Sequence, residues 1–566
     1  MKRKWKAILI ALGLVLSLLL LLTGCNNPAA DNGENTDEQE SADDAGEDSG
    51  EEGDVPVDVN TEVEVTGGVI SGMINDDGDI LIYKGIPYAA PPVGELRWKS
   101  PQPVESWEGV RTCTEYSAAA VQPEQAPFLM WTEEFIIDTS KGYSEDCLYL
   151  NVWAPVDAEN APVVLFIHGG GNTSGGASCD VYDGEQIAKK GIVYVSINYR
   201  VGIFGFLAST ELSAESADHV SGNYAIQDQI AALKWVRDNI AAFGGNPDNV
   251  TISGQSAGSE NVNMLTVCPE ASGLFRNAVT MSYNMIQTEF PLLEEKETEG
   301  DAIFAGRSLE EMRALNQDEV QALSSSDLAT SVASYNIDGK YVVANYRDTL
   351  KAKQGNDVNV MSGMVTGDTG LFGSFLTGAS MLNPGAEDPA TVEEYKALAE
   401  ERLGDLSGVF LTAYPVETDD DVAGALADSN FDNALALQEF NAKARAENGS
   451  AKTYVYMFTH EMPGIDPVSS GAFHTADVPY WINHFSEARK ELWADTDYAV
   501  GETMSDFLVN FASSGNPNGG GVPEWSPYDA ETNVFTYMEL GDTISEQTMD
   551  TARAEFWNAW YSRIFG

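Results

Sequence analysis

Cysteine, histidine and positive charge are scarce in this chain of 566 residues, and each scarcity excludes something. Five cysteines are too few for a disulfide scaffold, and they lack the paired spacing of zinc sites. Only 31 Lys and Arg stand against 88 Asp and Glu, a formal net charge of −57. Phosphate backbones and anionic headgroups repel such a polyanion, so nucleic acid is excluded as a partner. One long apolar run exists, at 7–22, which rules out a multi-pass membrane protein. There is no internal repeat and no coiled-coil or collagen pattern. What remains is a globular enzyme-like composition on a chain long enough for several average domains or one large α/β unit.

The first sixty residues read as address and tether. Lys2, Arg3, Lys4 and Lys6 precede the apolar stretch, and Leu22-Thr23-Gly24-Cys25 closes it. A basic start, a short apolar run and small residues at the cut describe an export signal over residues 1–24. The Leu-Thr-Gly-Cys ending resembles the lipobox of bacterial lipoproteins. That resemblance implies a lipid on Cys25, and a body held outside the cytoplasm on the bacterial cell membrane by this anchor alone. Residues 26–60 carry thirteen Asp or Glu and no Lys or Arg. So polar a segment buries too little apolar area to offset its ordering entropy, and 25–60 reads as a disordered spacer. The folded body is assigned to 61–566.

Within that body, short apolar runs alternate with amphipathic ones. Strands are predicted at 163–167, 192–197, 250–253, 279–281, 358–365 and 454–457. Between two of them Ile226, Ile230, Leu233, Val236 and Ile240 recur at helical spacing, and Gly244-Gly245 stop the pattern. This alternation argues for a mostly parallel sheet with helices on both faces. The Glu/Ala/Leu-rich stretches at about 290–350 and 385–450 read as helical excursions over the sheet, roofing a pocket.

Gly254-Gln255-Ser256-Ala257-Gly258 sits between a strand and a helix, and G-x-S-x-G occurs once. The motif alone is weak, but in that setting it forms a sharp turn that holds a serine hydroxyl out at the strand end. His168-Gly169-Gly170-Gly171 ends an earlier strand, where glycines let backbone N–H groups approach a developing oxyanion. The serine needs a base, and the histidines are His168, His219, His460, His474 and His484. Chain order Ser, acid, His leaves the last three. His474 lies in a loop of small residues where an imidazole is presented freely, whereas His168 reads as a structural hydrogen-bonder.

These residues resemble the type-B carboxylesterase/lipase family, which includes bacterial para-nitrobenzyl-type esterases and the cholinesterases. The likeness runs through Phe243–Gly258, Glu145–Val152, Gly85–Ala89, Pro91–Gly94, Tyr199–Gly202, Asn510–Ala512 and Gly515–Pro517, and spans about 62–565. It implies an α/β-hydrolase fold and a serine carboxylesterase with no metal or organic cofactor. It implies Ser256 as nucleophile, His474 as general base, and oxyanion donors at the backbone N–H of Gly170, Gly171 and Ala257. It also implies a disulfide between Cys113 and Cys147, with Cys179 and Cys268 as a further pair that spacing leaves open.

Two departures from the family pattern bear on function. The acid is usually a Glu in Asp-Glu-Gly, but the matching run is Gly367-Asp368-Thr369-Gly370. Only Asp can stabilise an imidazolium there, so Asp368 is favoured, with Asp477 as the alternative. The residue before the nucleophile, often Glu, is Gln255, which argues for small neutral esters over cationic ones. Trp131 reads as pocket wall or core rather than as a choline site. The reading from another class is a surface-displayed binding or adhesion protein on an esterase-like fold. Acyl and alcohol preference and oligomeric state are not encoded in any motif.

Overall fold

Along the strand Ala161–Ile167, Val163, Leu165 and Ile167 enter one hydrophobic cluster while Val164 and Phe166 enter another. Successive side chains of a strand point to opposite faces, so a run apolar at every position needs cover on both. In this computed structural model residues 59–324 and 333–565 are described, apart from 382, 384, 467 and 533. The stretch read as an export signal, Cys25 and most of the acidic segment lie outside them.

Residues 61–566 form one compact unit. An eleven-stranded sheet is built from β1 (Met73–Ile74), β2 (Ile80–Pro87), β3 (Tyr149–Pro155), β4 (Ala161–Ile167), β5 (Val193–Ile197), β6 (Gly245–Gln255), β7 (Asn277–Met281), β8 (Asn359–Val365), β9 (Thr453–Phe458), β10 (Thr536–Leu540) and β11 (Ile544–Thr548). Across the sheet the order is β11-β10-β9-β8-β7-β6-β4-β5-β3-β2-β1. The strands from β5 to β10 are parallel, and antiparallel strands close each flank. The six strands read from the sequence are all present, each shifted at its ends by a few residues at most except β6, which starts at Gly245.

Helices α1 (Tyr224–Asn239) and α2 (Ala257–Val267) pack on one face through Ile226, Ile230, Leu233, Val236, Val262 and Leu265. Gly244, with φ 77°, ends the turn after α1, a conformation that glycine adopts without steric cost. Helix α4 (Asp495–Ser514) covers the other face with Phe507, Leu508 and Phe511. Each such side chain contributes about 1.5–3 kcal/mol on burial. The 385–450 stretch contains α3 (Asp421–Asn448), which belongs to the helical layer. Gln438 of α3 accepts from Ser362 Oγ of β8 at 2.7 Å, and α5 (Thr551–Phe565) packs beside it in a third apolar cluster.

Candidate active site

The parallel strands end on one edge, and four of them deliver the polar groups of interest. β6 stops at Gln255 and α2 starts at Ala257, so Ser256 turns the chain alone, with φ 58° and ψ −123°. A non-glycine residue rarely holds that conformation, and here its surroundings impose it. Ser256 N donates to Met281 O at 2.8 Å, tying the turn to β7. A Cβ on Gly258 would lie 2.0 Å from Ile167 O, and one on Gly254 would lie 2.4 Å from Gly258 O. Both glycines are therefore required by close backbone approach.

Asp368 opens a one-turn helix (Asp368–Phe372) just after β8. Its buried carboxylate accepts from Val365 N at 3.1 Å through Oδ2 and meets His474 Nδ1 at 2.6 Å through Oδ1. An ionised carboxylate is an acceptor only, so Nδ1 donates and Nε2 is left as the ring's acceptor. Gln255 Nε2 reaches that nitrogen at 3.2 Å. Trp131 stands edge-on to the imidazole with ring centres 6.4 Å apart, and its Nε1 donates to Thr475 Oγ1 at 2.9 Å. It is wall to the histidine.

The loop after β4 carries Gly170 at φ 111° and Gly171 at φ 63°. The Gly170 carbonyl accepts from Thr173 N and Ser174 N at 3.1 and 3.0 Å. Asn172 O accepts from Gly202 N at 2.6 Å, anchoring the far side of the loop. Among the described residues the amides of Gly170, Gly171 and Ala257 donate to no protein acceptor. For Ala257 the reason is general, since the first N–H groups of a helix have no partner within it. His168 is buried, its Nδ1 2.8 Å from Gly169 O and its ring stacked on Tyr199 at 4.3 Å. Burial pushes its pKa down to about 4, so it stays neutral and structural. His460 is clamped between Asp497 and Asp542, and His484 lies 3.6 Å from Asp180.

The family model of the carboxylesterases matches residues 59–557. The chain belongs to the carboxylesterase family. It is 31% identical to the para-nitrobenzyl esterase of Bacillus subtilis (strain 168) over 476 residues, 82% of this chain and 92% of that protein. It is 30% identical to the fumonisin B1 esterase of Sphingopyxis macrogoltabida over 489 residues, covering 81% and 84%. A crystal structure of a Geobacillus stearothermophilus carboxylesterase superposes with a TM-score of 0.70 at 28% identity, covering 88% of this chain and all of that one. As a carboxylesterase with the α/β-hydrolase fold, the protein is an ester hydrolase.

Within this carboxylesterase, two carboxylates lie behind the imidazole rather than one. Asp477, three residues after His474, is buried and accepts from Tyr456 OH at 3.0 Å and Trp481 Nε1 at 3.3 Å. It carries no hydrogen bond to His474. Burial, with the Asp368 charge as a smaller contribution, pushes its carboxyl up to about 6. The implied disulfide is not formed. Cys113 and Cys147 are buried free thiols, and Cys113 Sγ is turned toward Gly85 O at 3.8 Å. Cys179 and Cys268 are free as well and lie in the two clusters on opposite faces of the sheet, so they cannot meet. Glu260, in the first turn of α2, escaped the sequence reading. Its spacing of four from Ser256 on a helix was the available signal.

Proposed function

We propose that this carboxylesterase hydrolyses small esters by two-step acyl transfer through Ser256. His474 Nε2 takes the serine proton as Oγ attacks the ester carbonyl, and Asp368 holds the ring with Nδ1 protonated and stabilises its charged form. The N–H groups of Gly170, Gly171 and Ala257 receive the oxyanion of the tetrahedral intermediate. A single such donor is typically worth about 2.7–4 kcal/mol in the barrier. The alcohol leaves with the proton from His474, and water, deprotonated by the same ring, releases the acid and regenerates Ser256. The observation that carries this reading is the 2.6 Å contact of His474 with Asp368, made beside the strained turn at Ser256.

The test is burst kinetics with a short-chain p-nitrophenyl ester on protein beginning at residue 61, alongside Ser256→Ala. A burst of one nitrophenolate per active site that Ser256→Ala abolishes supports the acyl-enzyme. Equal inertness of both proteins across several esters would favour the surface-binding reading instead. On the anchor, the proposal is that Cys25 is lipidated and the body faces outward. Cys25→Ser should then release the protein from the membrane fraction, and retention there would overturn it.

A further inference from the structure

The three N–H groups assigned to the oxyanion come from two segments far apart in the chain. Gly170 and Gly171 belong to the loop after β4, and Ala257 opens α2. Side chains tie these segments together. Asn172 directly follows Gly171, is buried, and holds φ 59°, a left-handed conformation that Asn adopts more readily than most residues. Its Nδ2 donates to Glu260 Oε2 at 2.9 Å, and its Oδ1 accepts from Asn261 Nδ2 at 3.3 Å. Both partners lie near the start of α2, and Glu260 N donates to Ser256 O at 3.0 Å, closing the turn that carries Ala257. The loop is thus bonded to the helix immediately beside the donors on each side.

The chemistry of the network fixes its direction. An ionised carboxylate only accepts, so the Asn172 amide turns its Nδ2 toward Glu260 and its Oδ1 toward Asn261. Asn261 then gives its Nδ2 to Asn172, and its own Oδ1 accepts from the hydroxyl of Tyr335. Asn261 and Tyr335 are fully buried, where hydrogen bonds are stronger than in water. An oxyanion hole made of two segments works only while they keep their spacing, and a displacement of about 1 Å can cost about 100-fold in rate. We infer that Asn172 is a positioning residue for ester hydrolysis. Its side chain fastens the Gly170–Gly171 loop to α2 and holds the N–H groups of Gly171 and Ala257 at the spacing one oxyanion requires. The inference rests on the acyl-transfer reading and adds to it a residue that acts through the backbone.

The experiment reverses the bond between Asn172 and Glu260. In Asn172→Asp, which still suits the left-handed backbone, two carboxylates face each other and cannot both ionise without cost. Burial raises the Glu260 carboxyl to about 7, so the pair can share a proton at pH 6 and loses it as the pH rises. The phenols of Tyr199, Tyr283 and Tyr335, which also feel the Glu260 charge, are pushed up by burial and stay protonated throughout. Values of kcat and KM for p-nitrophenyl butyrate are taken from pH 6 to 8.5, each as a ratio to wild type. Asn172→Asp is expected to lose at least about tenfold in kcat at pH 8.5 and less at pH 6. KM should stay within about twofold, because the oxyanion belongs to the transition state. Adding Glu260→Gln lets the new amide donate to the new carboxylate, and kcat is expected to return to within about threefold of wild type at every pH. Asn172→Gly, which removes the side chain and suits the same backbone, should gain nothing from Glu260→Gln. Where Asn172→Asp by itself does not fold, the double variant is expected to exceed Asn172→Gly by about tenfold in kcat, and equality overturns the role. Wild-type kcat in Asn172→Asp across the range, or a loss that Glu260→Gln does not repair, overturns it as well. Turnover by wild type that Ser256→Ala abolishes keeps the acyl-enzyme reading intact in those cases. If wild type turns over no ester, both readings fall together.

Discussion

Gln255 Nε2 lies 3.2 Å from His474 Nε2, the ring nitrogen that accepts the serine proton in the proposed mechanism. The residue beside Ser256 therefore touches His474 as well. With Asp368 holding Nδ1, the imidazole is fixed at both nitrogens, and in the proposed mechanism the amide of Gln255 has to yield the second one when Ser256 transfers its proton.

Replacing that amide by a carboxylate changes the charge beside the base without changing its shape. In Gln255→Glu the new negative charge favours the imidazolium, so the acid limb of the pH–rate profile is expected to move up by on the order of one pH unit. Steady-state kcat/KM from pH 5 to 9 for both proteins measures this. An unshifted limb would mean that the side chain leaves the histidine in solution.

Of the two buried carboxylates near His474, only Asp368 meets it directly. Asp368→Asn is expected to lower kcat by about 10⁴-fold, because a neutral amide no longer enforces the tautomer that leaves Nε2 free. Asp477→Asn, which still offers an oxygen to Tyr456 OH, is expected to lose far less. Comparable losses in the two variants would return Asp477 to the role of acid.

Asp477 also makes a prediction about stability. Its carboxyl is raised from an ordinary 3.8 to about 6 in the folded chain, with burial the main cause. Between those values the unfolded chain has released the proton while the folded chain keeps it, so this group lowers stability as pH rises from about 4 to 6. Above 6 the penalty is constant and on the order of 2–3 kcal/mol. The difference in denaturation midpoint between Asp477→Asn and wild type is therefore expected to shift in the variant's favour from pH 4 to 6 and then level off. A difference flat across that range would contradict the raised value.

At the turn itself, Gly258→Ala would place a methyl group 2.0 Å from Ile167 O, a backbone atom of β4. Strand and helix have to part, at a cost of about 1–3 kcal/mol or more, and Ser256 moves with them. A lower urea midpoint together with reduced kcat is expected. A variant with wild-type stability would mean that the contact relaxes freely.

Much of this was legible in the chain. A strand apolar at every position, as in Val163–Ile167, can be satisfied only by cover on both faces, and Gly254 and Gly258 flanking a lone serine define a turn that few other sequences tolerate. Asp368 and His474 were also reachable, because chain order and charge leave few candidates. These features are local, or they follow from periodicity, and so sequence alone determined the sheet, the strained turn and the short list of polar groups around it.

Tertiary structure decided what depends on pairs far apart in the chain. Asp368 and Asp477 are both plausible partners for His474, and only the packing of β8 against β9 puts one at 2.6 Å and turns the other to Tyr456. Four cysteines are buried free thiols, and Cys179 is held on the opposite face of the sheet from Cys268. The contact of Glu260 with Asn172 exists only once a loop 88 residues earlier is brought to the helix. Distances and missing partners of this kind arise when the sheet assembles, and no local pattern of residues encodes them.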